Sequence, residues 1–95
     1  MANLRTIKKE INYLTSEIVS NCYLAVYFQG EESAEALSTI ISKAVDMNNT
    51  LRDRANHPAE KHNTKLVRKH YAAIYADLLS TSDELFQEIS AVCAK

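Results

Sequence analysis

The sequence predicts an all-α protein, a three-helix up-down-up bundle with long helices, on three observations. A single Gly and a single Pro in 95 residues leave too few turn sites for a sandwich or barrel, which reverses about every 8–12 residues. Apolar residues, 46% of the chain, recur in steps of three and four through three long segments, the period of a helix with one buried face. The connections between those segments are short, so sequence neighbours pack antiparallel. One helical-bundle domain over residues 1–95 accounts for the whole length.

The first helix is read from the stripe Leu4, Ile7, Ile11, Leu14, Ile18, Cys22, Ala25 and Phe28. Asn3 is its candidate N-cap, and Gly30 suits a left-handed residue closing its C-terminus near Gln29. Ser33 can cap the second helix, whose stripe runs Leu37, Ile40/Ile41, Ala44, Val45, Asn48, Leu51 and Ala55. Glu31, Glu32 and Glu35 stand favourably near its positive end. Pro58 disfavours a helical His57, so this helix ends at about Asn56. Asn48, a polar residue in an apolar stripe, reads as a register device.

The third helix begins either at Pro58 or at Asn63 and Thr64. Its stripe is Leu66/Val67, His70/Tyr71, Ile74, Leu78, Ser82, Leu85/Phe86, Ile89 and Val92/Cys93. Ser80-Thr81-Ser82-Asp83 is its weak point. These residues either cap a separate final helix, with Thr81 and Glu84 spaced as in a capping box, or form a polar patch on a continuous one, which is the preferred reading.

The formal net charge of −1 argues against a general polyanion binder, but the placement of charge is informative. In an up-down-up bundle the start of the first helix, the end of the second and the start of the third share one end. That end carries Arg5, Lys8, Lys9, Arg52, Arg54, Lys61, Lys65, Arg68 and Lys69 against Glu10, Asp53 and Glu60, nine cations against three acids, or +6. Two cations, Lys43 and Lys95, face nine acids over the remainder, or −7. In the first and third helices this order opposes the helix macrodipole, so local helix stability does not explain it. Arg52, Arg54, Lys61, Lys65, Arg68 and Lys69 are therefore the candidate binding residues of a basic pole, fitted to an acidic protein or nucleic acid. Ordinary solvated charges are the plain alternative.

Residues Cys22 to Phe28 are apolar on every side, and Tyr71 to Ala76 repeat the pattern. A helix in a small bundle buries one side only, so the surplus points to a homo-dimer or higher oligomer through Tyr23, Tyr27, Tyr71 and Tyr75. Curved helices burying the extra residues in one core are the competing account, and a strand at residues 22–28 is a remoter one.

Cys22 and Cys93 lie on apolar faces without close spacing and read as buried free thiols in a reducing compartment. The N-terminal residues lack an apolar signal core and no apolar run approaches the ~20 residues of a membrane span, so a cytoplasmic protein with no membrane contact is expected. Chemistry is scarce. There is no Glu-x-x-His pair, Gly-rich phosphate loop, nucleophile elbow or Cys-x-x-Cys, so no metal and no cofactor are expected. His57 and His62 flank a helix start near Asp53 and Glu60, where an adventitious divalent ion is the lesser reading. His70 beside the third stripe reads as a partly buried, hydrogen-bonded imidazole.

Arg52-Asp53-Arg54-Ala55-Asn56-His57 is similar to the Arg-to-His motif of the HEPN ribonucleases, helical bundles that cleave RNA without metal at a dimer interface. That resemblance implies Arg52 as the stabiliser of phosphorane charge and His57 as the proton carrier. The chain is short for that fold, and Pro58 breaks the helix the motif normally occupies. Ile11-Asn12-Tyr13-Leu14, Ser20-Asn21-Cys22-Tyr23-Leu24 and Asn56-His57-Pro58-Ala59-Glu60-Lys61 together resemble a family of short, uncharacterised all-helical bacterial proteins. That likeness implies a compact helical fold and brings no activity with it. The composite expectation is a non-enzymatic interaction protein that self-associates and offers a basic pole. A small metal-independent ribonuclease and a purely structural dimer are the alternatives.

Overall fold

A computed structural model describes residues 4–58 and 62–94, which form three helices: α1, Leu4–Gln29; α2, Ala34–Asn56; and α3, Thr64–Cys93. Every pair of helices is in contact, and the bundle is a rod of 51 × 18 × 17 Å. Among the described residues there is no strand, and residues 22–28 are helical. The all-α three-helix bundle expected from the stripes is the fold observed.

The core is one continuous cluster with a single row from each helix. It takes Ile7, Ile11, Ile18, Cys22 and Ala25 from α1, Leu37, Ile40, Ala44, Met47, Leu51 and Ala55 from α2, and Ile74, Leu78, Leu85 and Ile89 from α3. In α2 the row departs from expectation at two places: Met47 takes the buried position expected of Asn48, and Val45 stays exposed. The α2 row alternates steps of three and four through Ala44, Met47 and Leu51, and Asn48 sits at its margin. The stripes also fray. Leu4, Phe28 and Leu66, each near a helix end, are exposed, and Cys93 is exposed at the end of α3, correcting the expectation of two buried thiols.

Asn48 still serves α1–α2 registry. Its Nδ2 donates to Asn12 Oδ1 at 3.0 Å and to Thr15 Oγ1 at 3.1 Å, while the Thr15 hydroxyl donates to the Ile11 carbonyl at 2.8 Å. Each bond has one geometry, so a slip of either helix breaks the set.

The α1–α2 corner is built differently from expectation. Gly30 has φ 89° and ψ 179°, outside the left-handed helical region, in a part of backbone space open essentially to glycine. Its N–H donates to the Val26 carbonyl at 2.8 Å, and the chain then leaves extended. Ser33 does not cap α2. A short 3-10 turn, Glu31–Ser33, precedes the helix, and the Ser33 hydroxyl donates back to the Gly30 carbonyl at 2.8 Å.

At the other end α2 stops at Asn56, as Pro58 requires, with the His57 N–H on the Arg54 carbonyl at 3.3 Å. Of the two starts open to α3, the later one forms: Asn63 is extended and its Oδ1 accepts from the Leu66 N–H at 3.1 Å. The candidate cap Asn3 lies outside the described residues. The polar tetrad Ser80-Thr81-Ser82-Asp83 does not break α3. Ser82 is buried, with its hydroxyl 3.7 Å from Met47 Sδ, so the row Leu78, Ser82, Leu85, Ile89 continues on one face. Asp83 instead accepts from Gln87 one turn on, at 2.8 Å. A cap at Thr81 would lift Ser82 from that contact and break the α3 hydrogen-bond ladder.

Two substitutions measure these features. Gly30→Ala meets no atom within 4 Å of its new Cβ, so its cost is the backbone alone, about 1–3 kcal/mol in urea unfolding. A neutral result would refute the corner. Asn48→Ala removes both interhelical bonds and should lower stability by about 1–2 kcal/mol. Asn49→Ala, on the exposed side, should be close to silent.

Candidate functional site

The two surfaces expected from sequence lie at different places on the rod. The beginning of α1, the end of α2 and the beginning of α3 share one end, which carries Arg5, Lys8, Lys9, Arg52, Lys65, Arg68 and Lys69. All but the half-buried Lys8 are exposed. Lys61 and Glu60 lie outside the described residues. Arg54 is drawn away from the set: its guanidinium pairs with Asp77 of α3 at 2.5 Å, crossing the α2–α3 groove. That pair ties two helices together and cancels a charge of the pole. Counting Asp77 with the acidic end, as its place in the sequence invites, overlooks its partner. Farther along, Lys43 and Glu88 form a second α2–α3 pair at 2.8 Å.

Two of the histidines at this end, His57 and His70, have partners within the bundle. Half-buried His70 places Nε2 2.5 Å from the Arg54 carbonyl, near the end of α2, and its ring tilts against Tyr71. His57 sets Nδ1 2.9 Å from the Asp53 carbonyl and 3.4 Å from its carboxylate, back over the last turn of α2. Arg52 and His57 are both exposed, and no hydrogen bond joins them. Two shallow grooves of about 230 and 300 Å³ are lined elsewhere, the first by Gln29, Glu32 and Val92 and the second by Lys43, Arg54 and Asp77. Neither includes Arg52 or His57. Among the described residues, neither groove therefore brings walls to the Arg-to-His pair that would hold a reacting phosphate against both. Among the described residues no three His, Cys, Asp or Glu side chains gather as metal ligands.

The aromatic surplus divides. Tyr71 and Tyr75 of α3 are half-buried against the bundle's own core. Burial raises the Tyr75 hydroxyl above the ordinary phenol range, and the charge of Glu10 on α1 adds to it. Tyr23 and Tyr27 of α1 are 66% and 81% exposed. Leu24 and Phe28 of the same apolar run join them at 55% and 75%, as does Tyr13 at 59%, which the sequence did not single out for contact. Tyr13 and Leu24 stand about three helical turns apart and so fall on one line, a spacing that would have revealed Tyr13. Tyr27 and Phe28 pack edge to face with centroids 5.3 Å apart.

The thiols are likewise unequal. Burial pushes the Cys22 thiol above its ordinary range, and a charge on Cys93 would add to it. At pH 8 a thiol reagent should modify Cys93 quickly and Cys22 only after urea unfolding, a count of one and then two. The raised Cys22 and Tyr75 groups hold their protons longer in the folded state. Their contribution is full at neutral pH and is lost as pH rises above the ordinary thiol and phenol range, so the melting temperature should fall on the alkaline side. Equal thiol rates, or a melting temperature flat to pH 11, would contradict this.

No described helix is long and apolar enough to cross a membrane. No protein-family model, no curated protein and no solved structure matches the chain.

Proposed function

We propose that this chain acts by association: a non-enzymatic helical protein that self-associates through the outer face of α1 and presents its basic end to an anionic partner. The observation that carries the reading is the group of large apolar side chains Tyr23, Leu24, Tyr27 and Phe28, each more than half exposed on a helix whose opposite side already fills the core. A contiguous face of this kind is characteristic of contact surfaces. Its tyrosines can bury their rings and keep their hydroxyls wet.

The basic end supports the second contact. Arg52, Lys65 and Lys69 come from two helices and join Arg5, Lys8 and Lys9 from the third, with Glu10 and Asp53 as the described acids among them. Cations so placed suit phosphates or a run of carboxylates, and binding should weaken steeply with salt.

Titration with single-stranded RNA, duplex DNA and polyglutamate at about 50 mM salt tests the basic end. Binding to at least one is expected. For a nucleic acid, Arg52→Glu with Lys65→Glu and Lys69→Glu should abolish it, and neutral replacements should reduce the salt slope by about 0.7–0.9 for each phosphate no longer engaged. No binding to any of the three overturns the anionic-partner reading of the basic end and leaves self-association alone, the purely structural reading.

A further inference from the structure

Building on the self-association reading, we propose that α1 pairs antiparallel with α1 of a second copy of this chain, about a two-fold axis passing between Ser16 and Ser20. The outward side of α1 is ordered along its length. It begins with Arg5 and Lys9, passes Tyr13 and the small residues Ser16 and Ser20, and continues through Tyr23, Leu24 and Tyr27; beyond Gly30 the short 3-10 turn carries Glu31 and Glu32 at the same end of the bundle, Glu32 also lining the groove with Gln29 and Val92. Except for Val92, all of these side chains are exposed. Among the described residues, Arg5, Lys9, Glu31 and Glu32 form no ion pair within the chain.

Only one orientation satisfies both ends of this face. A parallel pair would set base against base and acid against acid. An antiparallel pair lays the Arg5 and Lys9 end of each copy on the aromatic and acidic end of the other, and two-fold symmetry makes every contact twice. Tyr13 then faces Tyr23 and Leu24 of the second copy, Lys9 lies over its Tyr27 ring, and Arg5 reaches its Glu31 and Glu32. Ser16 and Ser20 at the axis let the two helices approach closely.

The electrostatics of α1 alone point the same way. It has no acid in its first turn and no base in its last, so both poles of its macrodipole lack a complementary side chain. The antiparallel copy brings acids to the positive pole and bases to the negative one. The area is sufficient as well. With a whole aromatic side chain presenting about 150–250 Å², the exposed parts of Tyr13, Tyr23, Leu24 and Tyr27 offer roughly 500 Å² per copy and 1,000 Å² across the axis, enough for a specific interface. The chain exposes 6459 Å², where a compact monomer of 10.7 kDa exposes about 5,500 Å², so the rod has surface to lose.

Charge exchange in the full chain tests the pairing, with particle mass read by light scattering and helicity by circular dichroism. Wild type should be a dimer at about 200 μM. One variant carries Arg5→Glu and Lys9→Glu, the other Glu31→Lys and Glu32→Lys. Each alone should associate at least tenfold more weakly while staying helical, and an equimolar mixture should recover the dimer, because each reversed end then meets its complement. A monomeric wild type at that concentration overturns the self-association reading itself. A dimeric wild type whose variants remain dimeric alone, or fail to recover on mixing while folded, overturns the antiparallel pairing and leaves self-association standing. If a variant loses helicity, Tyr27→Ser in its place must reduce dimerisation tenfold without loss of helix, or the α1 face is not the interface.

Discussion

A rod only 18 × 17 Å across has room inside for one row of side chains from each helix, and the rest of the structure follows from that limit. The inner row of α1, from Ile7 to Ala25, is nearly solvent-free. Whatever else a helix carries must lie outside, whether polar or not. Tyr23, Leu24, Tyr27 and Phe28 are exposed because the row containing Cys22 and Ala25 already occupies the interior, and no fourth element is present among the described residues to cover them. Folding therefore draws on one side of α1, and the proposed association on the other.

The same limit explains what could be read from the sequence. Periodicity locates a buried row wherever it is continuous, so three helices and nearly all of their core residues were legible. It does poorly at margins and ends. Asn48 and Met47 are neighbours, and a one-residue choice moves a side chain about 100° around the helix, so the polar residue was placed in the row and the thioether left out. Cys93 continues the period of α3, but exposure at a helix end depends on how far the adjoining helices reach, which no single stripe contains. Gly30 announced a positive φ but not its ψ, so the corner was foreseen and its extended exit was not.

The candidate surfaces show the same division between pattern and pairing. Placing three helix termini at one end follows from topology, and the clustering of bases there could be predicted. The removal of Arg54 from that cluster could not, because its partner Asp77 is far away in sequence and assigned by sequence order to the opposite charge. Tyr71 and Tyr75 resembled Tyr23 and Tyr27 as residues in apolar segments. They differ in which neighbour their side of the helix meets: α3 turns its tyrosines against the core, one of them near Glu10 of α1, and α1 turns its own away from the bundle.

The order of charge along α1 links the bundle to its surroundings. An isolated helix is stabilised by acids at its start and bases at its end, each worth about 0.3–1 kcal/mol at an exposed site. The α1 sequence has neither, and its bases crowd the wrong pole. The Arg54–Asp77 and Lys43–Glu88 pairs join α2 to α3, while α1 meets its neighbours through its apolar row, the Asn48 bonds and the charge of Glu10 near Tyr75. Charges that stabilise neither their own helix nor the bundle face solvent, where a partner of opposite charge can meet them. On α1 they bracket an exposed aromatic face, and in the proposed pairing a partner with the reversed order of charge meets that face at both ends. A second copy of the same helix, turned end for end, has that order by symmetry.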